Sequence, residues 1–224
     1  MITFPEHTKV GRIVAKENFY NKTDTATKNL FQSEIARIVW EYKLSPDTIN
    51  LPAKTWPEIE VFRITLKNHE IPEKVLKVID TAIPYPILFL IDKGTIEKAV
   101  ISYKAQNQKN ENTAKVDTYF STDWNDTKLD NIKIEGLTID AVFDNLIRQI
   151  AGDKLAASTN SLNNNGLGSI NNAPSTIEED ISALKEREKI QRQIDNLTRK
   201  INSEPSIGKK QALAEERYKL KQLL

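Results

Sequence analysis

A chain of 224 residues with 39% hydrophobic and 7% aromatic side chains holds enough apolar material for one sizeable core and an appendage. Lys and Arg number 32 against 31 Asp and Glu, so no strong global field draws the protein onto nucleic acid or anionic lipid. Cysteine is absent, which removes disulfides, thiolate metal sites and cysteine nucleophiles, and imidazole chemistry rests on His7 and His69 alone. Mean hydropathy is −0.49, and the longest apolar run, Ile87 to Ile91, falls far short of the ~20 residues that span a bilayer. The amino terminus carries Glu6, His7 and Lys9 and no export signal, so no membrane association and a cytoplasmic location are expected.

In chain order, Asn29 to Tyr42 places Leu30, Ile35, Ile38, Val39 and Tyr42 at helical spacing, and Pro46 stops the predicted helix. Glu58 to Lys67 alternates with period two and reads as a half-buried strand with Phe62, Ile64 and Leu66 on one face; Glu58, Glu60 and Lys67 read as solvated. Pro72 opens a helix running to Ala82. An antiparallel meander follows: Ile87 to Ile91, a turn at Asp92–Lys93–Gly94–Thr95, Glu97 to Tyr103, a polar loop from Gln106 to Asn112, and Lys115 to Phe120. An amphipathic helix, Thr138 to Ile150, closes the domain. The fold class is therefore α+β: a mixed sheet containing an antiparallel meander, with flanking helices, over residues 1–154.

Residues 155–176 contain no charge and are rich in Asn, Ser, Gly and Ala, the composition of a flexible linker. From 177 to 224 the pattern is helical. Ile190, Ile194, Leu197 and Ile201 step by four, three and four, a coiled-coil seam that Leu213, Leu220 and Leu224 answer. Pro205 lies in the break between them, which predicts an antiparallel helical hairpin. Two short helices bury little by themselves. This hairpin is therefore expected to meet a protein partner or a second copy of the chain.

Catalytic signatures are sparse. Gly166 and Gly168 have no strand-to-helix context for a phosphate, neither histidine has a partner at ligand spacing, and no cofactor is called for. A metal-dependent nuclease needs only carboxylates and a lysine on paired strands. The acid-x-Lys letters occur at Glu41–Tyr42–Lys43 and Asp126–Thr127–Lys128, neither of them on a predicted strand. Tyr119 and Trp124, around Ser121–Thr122–Asp123, form a candidate recognition patch. Lys185 to Lys221 holds eleven Lys or Arg against six Asp or Glu, which leaves direct nucleic-acid binding open.

The runs Ile38–Val39–Trp40–Glu41–Tyr42–Lys43–Leu44, Val61 to Lys67, Ile79–Asp80–Thr81–Ala82–Ile83–Pro84–Tyr85–Pro86–Ile87–Leu88–Phe89 and Tyr119 to Trp124, followed by a helical pair, resemble the bacterial family catalogued as domain of unknown function 4391. The resemblance spans nearly the whole chain and brings no catalytic residue with it. It implies companionship with a DNA helicase or DNA methyltransferase in restriction-modification or phage-defence systems. The expected function is thus a non-catalytic accessory or scaffold subunit acting through protein contacts, with a metal-dependent nuclease as the alternative.

Overall fold

The computed structural model describes residues 2–21, 23–68, 70–106, 114–125, 127–155 and 175–224. Two compact units divide them, Met1–Ala151 and Gly152–Leu224. The first is built on a six-stranded sheet: β1 (Lys9–Ile13), β2 (Ile35–Leu44), β3 (Ile59–Leu66), β4 (Ile87–Lys93), β5 (Ile96–Gln106) and β6 (Ala114–Ser121). The strands lie side by side in chain order. Every neighbouring pair is antiparallel except β3 and β4. That parallel pair needs a crossover, which helix α4 (Glu73–Ala82) supplies. The expected mixed sheet, its β4–β5–β6 meander and the α4 crossover are all present.

The segment expected to be helical from Asn29 to Tyr42 is instead α2 (Thr25–Glu34) followed by β2. Asp24 caps α2 by accepting the Thr27 N–H at 2.7 Å. The β-branched and aromatic residues Ile35, Ile38, Val39, Trp40 and Tyr42 then favour the pleated state. Register shifts lie between Ile35 and Arg37 and between Trp40 and Tyr42. Each shift adds a residue to one strand only. As a result of the first shift Ile35 and Ile38 meet the same core although three residues apart, a spacing that imitates a helix in the sequence, and Trp40 follows Ile38 with the ordinary period of two. Strand β1 and helix α1 (Glu17–Tyr20) carry too little apolar pattern to announce themselves; β1 is exposed along its whole length.

One face of the sheet presents Phe62, Ile64, Leu66, Ile87, Phe89, Ile91 and Val100 to Phe19, Tyr20 and Phe31 of α1 and α2 and to Val75, Leu76 and Ile79 of α4. The other face offers the buried Val61, Leu88, Leu90, Ile101 and Phe120, and α5 (Ile139–Ala151) packs there on β5 and β6. Asp140 in the first turn of α5 accepts the backbone N–H groups of Lys54, Thr55 and Trp56 at 2.9, 2.8 and 3.2 Å. One carboxylate thereby holds the loop between β2 and β3, far away in sequence, against the helix. A short helix, α3 (Pro46–Ile49), sits in that same connection.

The second unit contains α6 (Ile177–Ser203) and α7 (Ile207–Lys221), packed as a hairpin around the Glu204–Ser206 turn. Thr176 and Glu179 form a reciprocal capping box that starts α6. The Arg217 guanidinium donates to Thr198 Oγ1 at 3.4 Å across the pair. Of the proposed linker, Leu155, Ser175 and Thr176 are described, and Leu155 is buried; the rest lies outside the described residues. Among the described residues no helix is long and apolar enough to cross a membrane.

Asp140→Ala is expected to cost about 1.5–3 kcal/mol of stability, since three backbone N–H groups lose a charged acceptor. Urea unfolding of the full chain measures this, and protease cleavage between Pro52 and Trp56 should increase in parallel.

Candidate functional site

The greatest concentration of buried polar chemistry lies where α4 ends and β4 begins. Asp80 occupies the apolar stripe of α4, four residues after Leu76, and Lys104 continues the inward face of β5 after Val100 and Ser102. Both side chains are 0% exposed, with Lys104 Nζ 2.7 Å from Asp80 Oδ1. The ammonium donates to the carbonyls of Asp80, Ile83 and Tyr85 at 2.7, 2.8 and 2.5 Å. These are carbonyls that the end of a helix leaves without partners, so Lys104 does for α4 what a C-cap residue or water does elsewhere. Asp80 Oδ2 accepts from Ser102 Oγ at 2.5 Å and from the Tyr119 hydroxyl at 2.8 Å. Burial lowers the Lys104 pKa, an effect the Asp80 charge opposes. The Tyr119 pKa is raised, first by burial and then by the Asp80 carboxylate beside it. Each donor in this network has an internal acceptor, and neither charge meets solvent.

A second cluster adjoins it across the sheet. In the register, Glu60 of β3 stands beside Ile87 of β4, and Ser102 of β5 beside Tyr119 of β6. Glu60 is only 5% exposed, contrary to the solvated position expected for it. With period two it must share the face of Phe62, Ile64 and Leu66, which is the core face. Glu60 Oε2 has no hydrogen-bond partner. Its pKa is raised to about 8, first by burial and then by the hydrogen bond to Glu58 and the charge of that carboxylate. Glu58 is ion-paired with Lys43 from the end of β2, and this contact raises the lysine's pKa.

A third polar group opens at the carboxyl ends of β3 and β4, in a pocket of about 480 Å³. The Arg63 Nε donates to Glu41 Oε2 at 2.6 Å, while its Nη1 lies 3.5 Å from Glu97 Oε2 and 3.9 Å from Asp92 Oδ1. Three carboxylates here surround one guanidinium, and Thr65 Oγ1 also donates to Asp92 Oδ1 at 3.2 Å. Among the described residues no three His, Asp or Glu are placed to hold a metal ion.

Glu41–Tyr42–Lys43 does lie on a strand, contrary to expectation, yet the letters do not form a nuclease pair. On a regular strand residues two apart share a face, but the bulge at Trp40–Tyr42 breaks that alternation. Glu41 therefore reaches Arg63 on the α5 face, whereas Lys43 stands opposite Glu60 on the α4 face. Asp126 and His69 lie outside the described residues, and His7 is exposed.

Tyr119 turns its hydroxyl inward to Asp80 and packs partly on the core. The Trp124 indole donates to Glu70 at 3.1 Å, with Lys98 Nζ 4.7 Å from the ring centroid. Of the hairpin positions, Ile194 and Leu197 are buried, and Ile190, Ile201, Leu213, Leu220 and Leu224 are half-buried. Sequence reasoning missed Asp80, Ser102, Lys104 and Arg63. The legible signal was a charge on an apolar stripe at Asp80 and a charge in phase with buried strand positions at Lys104.

Lys104→Met should destabilise the protein by about 3–5 kcal/mol, because it strands the Asp80 charge in the core. Combining it with Asp80→Asn should restore part of the loss in urea unfolding. Glu60 titrates at 4.5 in its ordinary state and at about 8 when folded, so the folded state binds the extra proton between those values. Its contribution to stability is complete below pH 4.5 and is lost as pH rises through about 8. Glu60→Gln should therefore raise the melting temperature by roughly 3 °C or more at pH 8.5 and change it little at pH 5.

No curated protein and no solved structure matches the chain. A family model does: that described as Domain of unknown function (DUF4391) matches residues 2–224, and the run Ile79 to Phe89, which carries the resemblance, includes Asp80 and the carbonyls of Ile83 and Tyr85 that hold Lys104. The chain belongs to the DUF4391 family.

Proposed function

We propose that this protein is a non-catalytic accessory subunit of a bacterial DNA restriction-modification or phage-defence system, and that it acts by docking a protein partner through its C-terminal hairpin. The observation that carries the reading is the state of α7, which packs on α6 yet has no buried residue. Ile207 and Tyr218 are 83% and 65% exposed. Eleven residues apart, they fall within ~20° of one another around the helix, and Gln211 and Ala214 share that stripe. It lies beside the seam of Leu213, Arg217, Leu220 and Leu224, so it is free to meet a second surface. Exposed aromatic and aliphatic residues on a rigid helix are the usual anchors of such contacts.

The polar clusters of the first unit support the same reading. Lys104 and Asp80 satisfy one another and the end of α4, Arg63 is ringed by its own carboxylates, and the acid-x-Lys letters are split between two faces. The bacterial defence context comes from the family resemblance, and the partner it suggests is a DNA helicase or DNA methyltransferase.

Co-expression of the full chain with the helicase and the methyltransferase of its host system should yield a complex by size-exclusion light scattering. Ile207→Asp with Tyr218→Asp should weaken that complex at least about tenfold while leaving helicity unchanged by circular dichroism. A homodimer that the same substitutions dissolve would assign the face to a second copy instead. Magnesium- or manganese-dependent cleavage of plasmid DNA, lost in Glu58→Gln, would replace this reading with the nuclease one.

A further inference from the structure

The charge of the chain is unevenly placed. The eleven Lys or Arg and six Asp or Glu between Lys185 and Lys221 leave 21 Lys or Arg against 25 Asp or Glu elsewhere. The acids Glu178, Glu179 and Asp180 occupy the first turn of α6, so the excess of cations in the hairpin begins at Lys185.

Within α6 the basic residues are ordered as well. Lys185, Lys189, Arg192, Asn196, Arg199 and Ser203 follow one another by four, three, four, three and four, the step that keeps residues on one face of a helix. All six are exposed, and none is acidic. The seam of Ile190, Ile194, Leu197 and Ile201 uses the same rhythm five residues later, which places it on the opposite side of the helix, towards α7. Glu186 and Glu188 lie on the flanks of the basic stripe, where they reach Lys189 at 3.3 Å and Arg192 at 3.8 Å. Both contacts join well-exposed groups and are therefore weak and readily exchanged for a stronger anion. From Lys185 to Ser203 the stripe is ~27 Å long.

Simple solubility would be served by mixed charges around the helix. Alignment of four of the six cations of α6 with two short hydrogen-bonding side chains on one straight face matches instead a linear, regularly charged polyanion. We infer that the outer face of α6 binds the phosphodiester backbone of a duplex nucleic acid, with Lys185, Lys189, Arg192 and Arg199 neutralising phosphates and Asn196 and Ser203 donating hydrogen bonds. Contacts of this kind position a protein on a duplex without reading its sequence. This surface is separate from the Ile207–Tyr218 stripe, so the inference stands or falls independently of the protein-docking role.

The test is fluorescence anisotropy of the full chain with a labelled 24-base-pair DNA duplex of arbitrary sequence, from 50 to 200 mM KCl. Four phosphate contacts predict a slope of about −3.6 in log K against log salt. Lys189→Gln, Arg192→Gln and Arg199→Gln together should reduce the slope to about −0.9 and weaken binding at least about tenfold at 100 mM salt. Arg192→Lys with Arg199→Lys should keep most of the affinity. As a control, Lys9→Gln, Lys54→Gln and Lys133→Gln remove three exposed cations from the first unit and should change little. A matched RNA duplex distinguishes the two sources of the backbone, and binding of either through these residues supports the inference. Absence of binding at 50 mM salt, or equal loss in the control and the α6 variant, overturns it.

Discussion

The ammonium of Lys104 is the point on which the first unit turns. It comes from β5, yet three of its contacts are carbonyls at and beyond the end of α4, and a fourth is the carboxylate of Asp80 within that helix. A single cation thus fixes the end of the crossover helix, the entry into β4 and the sheet that both must meet. The parallel β3–β4 pair exists only because α4 returns the chain in that place. Asp80 in turn holds Ser102 and Tyr119, so the same charge pair orients side chains on the last two strands. Isolated in a core, either ion would be costly; together, with every ammonium proton donated, they specify one arrangement.

Much of this was legible in the sequence, and the failures have particular causes. Strands β3 to β6 and helices α4 and α5 declare themselves by period, by Pro72 and by the Gly94 turn, where φ is +60°. Strand β2 does not, because the bulge between Ile35 and Arg37 places Ile35 and Ile38 on one face at a spacing that a helix would also give. Strand β1 has no buried residue and hence no alternation to detect. Glu60 could be read correctly once period two was taken literally, since it is in phase with Phe62. The partnership of Asp80 with Lys104 could not be read, because the residues lie on different elements and nothing local ties them. The same is true of Asp140, whose partners at Lys54 to Trp56 become neighbours only when the sheet is complete.

The two units divide their chemistry in opposite ways. In the first, strong charges are turned inward and consumed by one another, around Lys104, around Glu58 and Lys43, and around Arg63. In the hairpin, apart from the buried Asp180 in the first turn of α6, the described charges lie at least partly in water and the helices sort their residues into stripes. One stripe of α6 closes on α7, another is basic, and α7 adds an exposed apolar edge. A helix built in this manner has little use for a cleft; it offers several faces of different character to whatever lies alongside. The reading of the protein as a connecting subunit rests on that contrast between a self-satisfied sheet domain and an outward-facing helical pair.

The order of the strands in the sheet is also their order in the chain, from β1 to β6. Each strand emerging from a ribosome therefore finds its partner already made, and no strand has to be inserted between two others. Growth proceeds from one edge, with α4 as the crossover of the parallel pair, and the waiting edge at any moment is the strand most recently synthesised. Topologies of this kind keep loop-closure losses small and leave few unpaired edges exposed for long. Lys104 belongs to the fifth strand, so its contacts with the end of α4 can form only after the first four strands and that helix have been synthesised.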